Sequence, residues 1–409
     1  MEKIISKICM YLRRLGCLPP GQSSTKGRLL FLMSIYFILQ AHVIIVQKWN
    51  LFEQRITAME NINIFYAFFF AITDYYLFPQ HLKTMMEVIK FPHYKYDKRL
   101  HQPDLAAECS DMIRHTKRTW SKTGIILEIA MKCFFFSSNI LPVIGFIQHT
   151  MGYESENDLT LPFVSYFSVG KNNLKSYIFI LLVEMIYIYY AFILAILLYL
   201  MTIASVHNVI LEMRLFCMCL QGFNENYLKR IGSICDANKD PKRSGGDEIR
   251  DEILILKLLS KELSEHHQLI YRKVYMLKKG FKFQLCYGNG VICFQLCFAT
   301  FCFLKDDLMF KLKYGTVTFL VALLLLIFSE SGQEIQRQDE KLHMVLYECS
   351  WYNKPLWFQN CFKIMLTRNS IPIRMDVYKI FTLNRNNVTV VLRSVYSYFN
   401  FLRQFSGDL

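Results

Sequence analysis

What the chain lacks narrows its chemistry first. It has no glycine-rich phosphate loop, no nucleophile–base set and no cluster of His, Cys and carboxylates at metal-ligand spacing. An enzyme is therefore not expected, nor is a cofactor or a metal site. Internal repeats and interrupted half-helices, the marks of a transporter, are missing as well. The 13 cysteines are scattered. Cys293, Cys297 and Cys302 fall in an apolar run, where a thiol is a small buried group, and a disulfide framework is not expected. Acidic residues are scarce beside basic ones, 33 against 47.

What is present is apolar surface in long blocks. Hydrophobic residues make up 53% of the chain, and they do not divide into domains joined by polar linkers. The clearest blocks are Leu29–Trp49, Ile62–Leu82, Gly124–Ile147, Tyr177–Val206, Phe283–Leu304 and the shorter Tyr314–Ser329. About 20 apolar residues cross the hydrocarbon core of a bilayer. With Ile380–Leu402 the candidates number seven, so the expected fold class is an all-α polytopic protein embedded in a lipid bilayer.

The basic residues orient it. Lys3, Lys7, Arg13, Arg14, Lys26 and Arg28 precede the first block. The segment after the second block holds nine more, from Lys83 to Lys122, and the one after the fourth includes Lys229, Arg230, Lys242, Arg243, Arg272, Lys273, Lys278 and Lys279. Arg55 is alone between Asn50 and Asn61, and only the short loop at Lys305, Lys311 and Lys313 dissents. Lys and Arg stay on the cytoplasmic side. The N-terminus is thus expected inside and the C-terminus outside, the reverse of a G-protein-coupled receptor. The net charge of +14 reads as this bias, and no nucleic-acid partner is expected.

Cleavage of the first residues as a signal peptide is not expected, because Lys7, Arg13 and Arg14 interrupt and follow the apolar stretch. The spacing of Ile4, Ile5, Ile8, Tyr11 and Leu12 predicts an amphipathic helix lying on the inner membrane surface. Between His207 and Lys282 the pattern is helix, break, helix, with the break at "NKDPKRSGGDE". Further on, Leu342, Val345, Leu346 and Cys349 share one helical face, and so do Leu356, Phe358, Cys361, Phe362 and Met365. Such stripes outside a bilayer must be covered, which predicts a cytoplasmic helical bundle.

The stretch "LYECSWYNKPLWFQNCFKIMLTRNSIPI", followed by "RSVYSYFNFLRQF", resembles the C-terminal signature of the insect odorant receptors: Tyr-Glu, Trp-Tyr, a proline turn, Ser-Tyr-Phe and Leu-Arg. The match is specific over roughly the last seventy residues, and span count, orientation and length agree elsewhere. The chain lacks the enlarged second cytoplasmic loop of the family's co-receptor and so resembles an odorant-tuned member. Tyr378 stands where the family often has glycine, and Val388 where a Phe is common. The resemblance implies a tetrameric odorant-gated cation channel, formed with co-receptor subunits and opened by a small volatile molecule. A gustatory-type channel is the alternative, faintly echoed by Gln404-Phe405. The implied layout is an N-terminal segment at 1–28, helices one to four with the ligand site at 29–206, anchor helices at 207–282, helices five and six at 283–329, further anchor helices at 330–372, and a pore-lining helix at 380–405. The last two are the cytoplasmic part (about Lys354–Leu366) and the pore part (about Phe381–Gln404) of one split helix.

Polar groups recur along that last segment. Asn386, Thr389, Arg393, Ser397, Asn400 and Gln404 form one stripe, and each charged or amide group costs on the order of 2–3 kcal/mol in hydrocarbon. Either the stripe lines water or it bonds to neighbouring helices. The resemblance favours the pore, with Phe401, Gln404 and Phe405 at the outer constriction. Candidate ligand contacts are Tyr66, Phe69 and Thr73, Phe136 and Asn139, and Glu184 and Tyr187. Glu184 has a second possible role, accepting a hydrogen bond from a tyrosine nearby. Asp74 and Lys132 lie at similar depth and are expected to pair, with Glu128 as a competing partner one turn from Lys132. The sequon Asn387-Val388-Thr389 falls inside the last span and is expected to stay unmodified.

Overall fold

A computed structural model describes residues 2–15, 25–47, 52–77, 79–95, 103–150, 174–223, 245–303 and 308–406, some of them by backbone alone. These residues are almost wholly helical: α1 (Glu2–Leu15), α2 (Thr25–Gln47), α3 (Phe52–Leu77), α4 (Pro79–Lys90), α5 (Pro103–Thr150), α6 (Leu174–Gln221), α7 (Gly245–Phe303), α8 (Leu308–Glu348), α9 (Leu356–Asn369) and α10 (Arg385–Ser406). A two-stranded antiparallel hairpin, β1 (Asp376–Val377) and β2 (Phe381–Thr382), precedes α10.

Three of these helices are long and apolar enough to cross a membrane among the described residues: Thr25–Gln47, Lys175–Gln221 and Tyr314–Glu348. The pair Asn61–Tyr75 and Gln80–Lys90, bent by 79°, makes a fourth if taken as one span. Helices α5, α7 and α10 cover the other three expected blocks. At 1.5 Å per residue, the 48 residues of α6, the 59 of α7 and the 41 of α8 run to about 72, 89 and 62 Å. Each is at least twice the thickness of a hydrocarbon core. The surplus length forms polar arms that pack together beyond the apolar zone.

The arms bury the stripes that helical spacing predicts. Leu342, Val345 and Leu346 of α8 are buried, with Cys349 just past its end; on α9 Cys361 is half-buried, and Phe358, Phe362 and Met365 are buried. They meet Val209, Met213 and Phe216 of α6 and Leu259, Leu263 and Ile270 of α7 in one continuous core. Leu356 is the exception and points outward: Pro355 is the N-cap, so α9 starts at Leu356, two residues after Lys354, and its first turn lies outside the packed face. A buried ionic clasp ties the arms together. Glu212 on α6 accepts from Lys273 Nζ at 2.6 Å and from the backbone N–H of Tyr94 at 2.9 Å, with His93 Nδ1 and His266 Nε2 each 2.9 Å away.

Helix α1 forms as its periodicity predicts, but its apolar face does not rest on lipid. Ile8, Tyr11, Leu12 and Leu15 are buried against α5 and α6. Lys7 completes the attachment by pairing with Glu128 of α5.

The last segment differs from the uninterrupted span predicted from Ile380. Val377 pairs with Phe381 and Asp376 with Thr382, and the Thr382 hydroxyl donates to Asp376 Oδ1 at 2.6 Å. Tyr378 and Lys379 form the turn with positive φ, 49° and 60°, and Ile380 N–H closes it on the Val377 carbonyl at 2.9 Å. Positive φ at both central positions of that turn matches strand twist, and the register leaves Ile380 as a third residue between the paired strands. Asn384 then caps α10, its side-chain oxygen accepting from the Asn387 N–H at 3.1 Å. The helix therefore begins at Arg385.

Candidate ligand cavity and the last helix

Helices α3, α6, α7 and α8 line a partly open cavity of about 300 Å³. Small residues create it: Ala67 and Ala71 on α3, Ala191 and Ala195 on α6, and Gly288 on α7 all face it. A Cβ placed on Gly288 would meet nothing within 4 Å. Larger side chains form the walls, among them Phe68, Phe192, Leu198, Leu324 and Phe328. Polar groups are few and sit toward the ends. Asn61 and Gln295 mark one end, Gln284 and Tyr287 the other, and Asn289 lies between. Small-molecule sites share this composition, apolar walls with a few placed polar groups.

Of the proposed ligand contacts whose side chains are described (Tyr66, Phe69, Thr73, Glu184 and Tyr187), none is among the residues that line this cavity. Tyr66 meets His42 edge-on and stacks on Phe70, and Phe69 stacks on Phe31 at 5.1 Å. The α3 residues that do line it include Ile64, Ala67 and Ala71. Those positions repeat the three-and-four spacing of Tyr66, Phe69 and Thr73, displaced by two residues, which is about 200° around a helix. Tyr187 belongs to the core instead. Its ring packs among Phe37, Phe65 and Phe68, and its hydroxyl donates to Ser34 Oγ at 3.3 Å. Glu184 is buried on the same helix, close enough to Tyr177 to act on it electrostatically. The side chains of Phe136 and Asn139 lie outside the described residues.

The Asp74–Lys132 pair is also corrected. Asp74 is fully buried and contacts His81 Nδ1 at 2.6 Å. The chain turns between α3 and α4 and brings His81 back over it. Lys132 donates to Glu128 at 2.8 Å, one turn away on its own helix, which is the competing partner. Proximity along one helix prevails over matching depth on two.

Helix α10 packs on α7 and α8 through Asn387, Val391 and Val395, against Ile292, Leu296 and Leu325. At about 100° per residue those three positions span roughly 80°. Asn386, Thr389, Arg393 and Ser397 occupy a second sector of similar width on the opposite side, and all four are exposed in the protomer. Asn400 is half-buried and Phe401 exposed. The side chains of Gln404 and Phe405 lie outside the described residues.

Three contacts fix the start of α10. Asn387 Nδ2 donates to Asn289 Oδ1 at 2.9 Å, which engages the amide of the sequon. Arg385 binds both oxygens of Glu330 on α8, at 2.7 and 3.0 Å. Glu330 also accepts from Arg337, which with Arg214 holds Glu334. Finally, the Leu383 carbonyl lies so close to Gly332 of α8 that a Cβ there would be 2.0 Å from it.

Asn61, Gln284, Tyr287, Gly288 and Asn289 were not anticipated from sequence. The signal available was the recurrence of amides in the apolar run "FQLCYGNGVICFQLCF", which is easily passed over when only ionisable residues are weighed.

The family model described as 7tm Odorant receptor matches residues 55–396. The fold is similar to that of the insect olfactory receptor OR5 from Machilis hrabei, with a TM-score of 0.76 and 12% identity over 99% of this chain and 98% of that one. Against the same receptor in complex with eugenol the TM-score is 0.74, at equal identity and coverage. No curated protein matches the chain.

Proposed function

The chain belongs to the 7tm odorant receptor family, and from that premise we propose that it is the odorant-tuned subunit of a ligand-gated cation channel. In this reading it assembles with co-receptor subunits as a heterotetramer in the plasma membrane of a sensory dendrite. Seven helices cross the membrane: α2, α3, α5, α6, α7, α8 and α10. The N-terminus and the polar arms are cytoplasmic, as the basic residues favour. A volatile molecule enters the cavity between α3, α6, α7 and α8; the similar OR5 receptor is known in complex with eugenol.

The observation that carries the reading is the orientation of α10. Its apolar sector is covered by α7 and α8, and its polar sector points away from the protomer. Although Val390, Leu392 and Tyr396 are exposed beside it, lipid is a poor environment for that sector, since Asn386 and Arg393 would each cost on the order of 2–3 kcal/mol there. A water-filled axis shared with neighbouring subunits satisfies them. Exposed Met344, Tyr347, Tyr352 and Ile364 on the arms supply apolar surface for those neighbours. Phe401 and Phe405 form apolar rings at the outer end, and Gln404 meets the hydrated cation.

Co-expression with the co-receptor and current recording against a volatile panel tests the proposal. A cation current that needs both subunits is expected, with conductance or ion selectivity altered by Gln404→Leu. Odour responses unaccompanied by current through the complex would overturn it.

A further inference from the structure

The N-terminal part of the chain carries positive charge that the fold does not balance. From Lys3 to Phe52 the sequence holds seven basic residues and no Asp or Glu. The carboxylate that the fold brings to α1 is Glu128 of α5, and it is already occupied. Lys7 and Lys132 pair with it, and the Tyr11 hydroxyl donates to it at 3.2 Å. Among the described residues, Arg13, Arg14, Lys26 and Arg28 reach no carboxylate.

Three of those cations converge. Ser6, Cys9, Met10 and Arg13 follow one another at helical spacing along α1, and with Arg14 and Lys26, at the head of α2, they border an open recess. The connecting residues 16–24 carry no charged side chain, so the sequence supplies no counter-charge there. The cations are also held in place. Ile8, Tyr11, Leu12 and Leu15 anchor α1 by burial, and Arg14 Nη1 donates to the Tyr189 hydroxyl of α6 at 3.3 Å. A site presented on a docked helix has less to order on binding than a free tail.

Apolar tracks lead away from the recess. Beyond Lys26, α2 exposes Leu29, Leu32 and Tyr36; beyond Tyr189, α6 exposes Ile186, Leu182 and Phe179. Both tracks keep helical spacing, on helices long and apolar enough to cross a membrane. A soluble anion would use the cations alone, whereas a phospholipid uses both features. Its phosphates meet the guanidinium and ammonium groups, and its acyl chains follow the tracks.

We infer that the recess between α1 and α2 binds a polyanionic phospholipid whose headgroup carries phosphate monoesters, with Arg13, Arg14 and Lys26 as its counter-ions. Three cations without an acid favour several negative charges over the single net charge of phosphatidylserine. Assigning the lipid to the cytoplasmic leaflet rests on the proposed orientation, whereas binding in micelles tests the site independently of it.

The test uses the full-length chain co-purified with its co-receptor in an uncharged detergent. Fluorescent phosphatidylinositol bisphosphate is titrated and read by anisotropy. The signal is the difference between the parent and the triple variant Arg13→Gln, Arg14→Gln, Lys26→Gln, which removes any contribution of the co-receptor. A saturable difference is expected, and each single substitution should weaken it about fivefold. Arg374→Gln and Lys363→Gln, which alter exposed cations elsewhere, should bind as the parent does. Phosphatidylserine and soluble inositol trisphosphate should compete poorly, and phosphatidylcholine not at all. Should the triple variant lose its monodisperse profile, Lys26→Gln alone decides, since that side chain is exposed. Equal binding by parent and variants overturns the site. Full competition by phosphatidylserine removes the monoester preference, and full competition by inositol trisphosphate transfers the site to a soluble anion. An equal loss in Arg374→Gln or Lys363→Gln reduces it to diffuse surface charge. Odour-evoked current without a saturable lipid component removes this inference and leaves the channel reading standing. A saturable component without current does the reverse.

Discussion

The side-chain amide of Asn387, in the first turn of α10, donates a 2.9 Å hydrogen bond to Oδ1 of Asn289, a residue of the cavity wall. The bond joins the helix proposed to line the pore to the helix proposed to hold the ligand, and it is made where both are largely covered. Removing either amide leaves the other short of a partner, at about 1–3 kcal/mol. Asn289→Leu and Asn387→Leu should each lower the thermal stability of the purified complex by that order. The double substitution should cost little more than the worse single one, because the shared bond is lost only once. Additive losses in that cycle would show that the two side chains act independently.

A second contact at the same junction is steric. A Cβ on Gly332 would lie 2.0 Å from the Leu383 carbonyl and 2.8 Å from its carbon. Both are backbone atoms, which cannot swing aside as the tip of a flexible side chain would. Gly332→Ala should therefore separate the hairpin–α10 link from α8 and cost several kcal/mol, beyond the roughly 1–3 kcal/mol of ordinary overpacking. Size-exclusion profiles of the detergent-solubilised protein would show it as lost monodisperse yield. Gly290→Ala on α7, where nothing lies within 4 Å of the added carbon, should behave as the parent.

How far these features can be read from sequence depends on whether a helix has two contrasting faces. Where α8 and α9 leave the apolar zone, water sets polar residues against apolar ones. Leu342, Val345, Leu346, Phe358 and Phe362 are then recognisable as core from spacing alone. Inside the apolar zone that contrast disappears. Tyr66 and Phe69 face neighbouring rings while Ile64, Ala67 and Ala71 face the void, yet both sets are hydrophobic, and hydropathy does not distinguish a lipid or a ring from a cavity. Pairing of charges fails for another reason. Depth in the membrane suggested Asp74 with Lys132, whereas the turn between α3 and α4 supplies His81 and helical adjacency supplies Glu128. Tyr378 and Lys379 hid the hairpin, because neither is a residue that ordinarily signals positive φ.

The two histidines in the arm of α7 predict a pH dependence. His267 is buried, and burial first, then the charges of Arg368 and His266, pull its pKa down from 6.5 to about 4. Burial also lowers His266, although Glu212 opposes this and Lys273 and His93 add to it. The folded protein thus holds both neutral at pH values where the unfolded chain, with pKa near 6.5, takes up protons. Below pH 6.5 the unfolded state binds more protons, so stability falls as pH falls. For His267 the loss reaches on the order of 3 kcal/mol by pH 4, and above pH 6.5 it vanishes. Melting temperature in detergent should decline between pH 6.5 and 4, and His267→Phe should flatten part of that slope.

The hairpin turn carries strain that a substitution can relieve. Tyr378 and Lys379 both hold the left-handed conformation, which costs a residue with a Cβ about 1–2 kcal/mol and glycine almost nothing. Lys379→Gly should stabilise the protein by about 1 kcal/mol, since the Lys379 side chain is exposed. Tyr378→Gly should gain less, because the Lys282 ammonium sits 4.3 Å from the centre of the Tyr378 ring, and that contact contributes about 0.5–1 kcal/mol at an exposed site. Lys282→Ala in the Tyr378→Gly background should then have almost no further effect, whereas in the parent it destabilises. Thermal melts of the parent and the four variants decide the matter. If Tyr378→Gly stabilises as strongly as Lys379→Gly, the ring adds nothing at that turn and strain alone governs it.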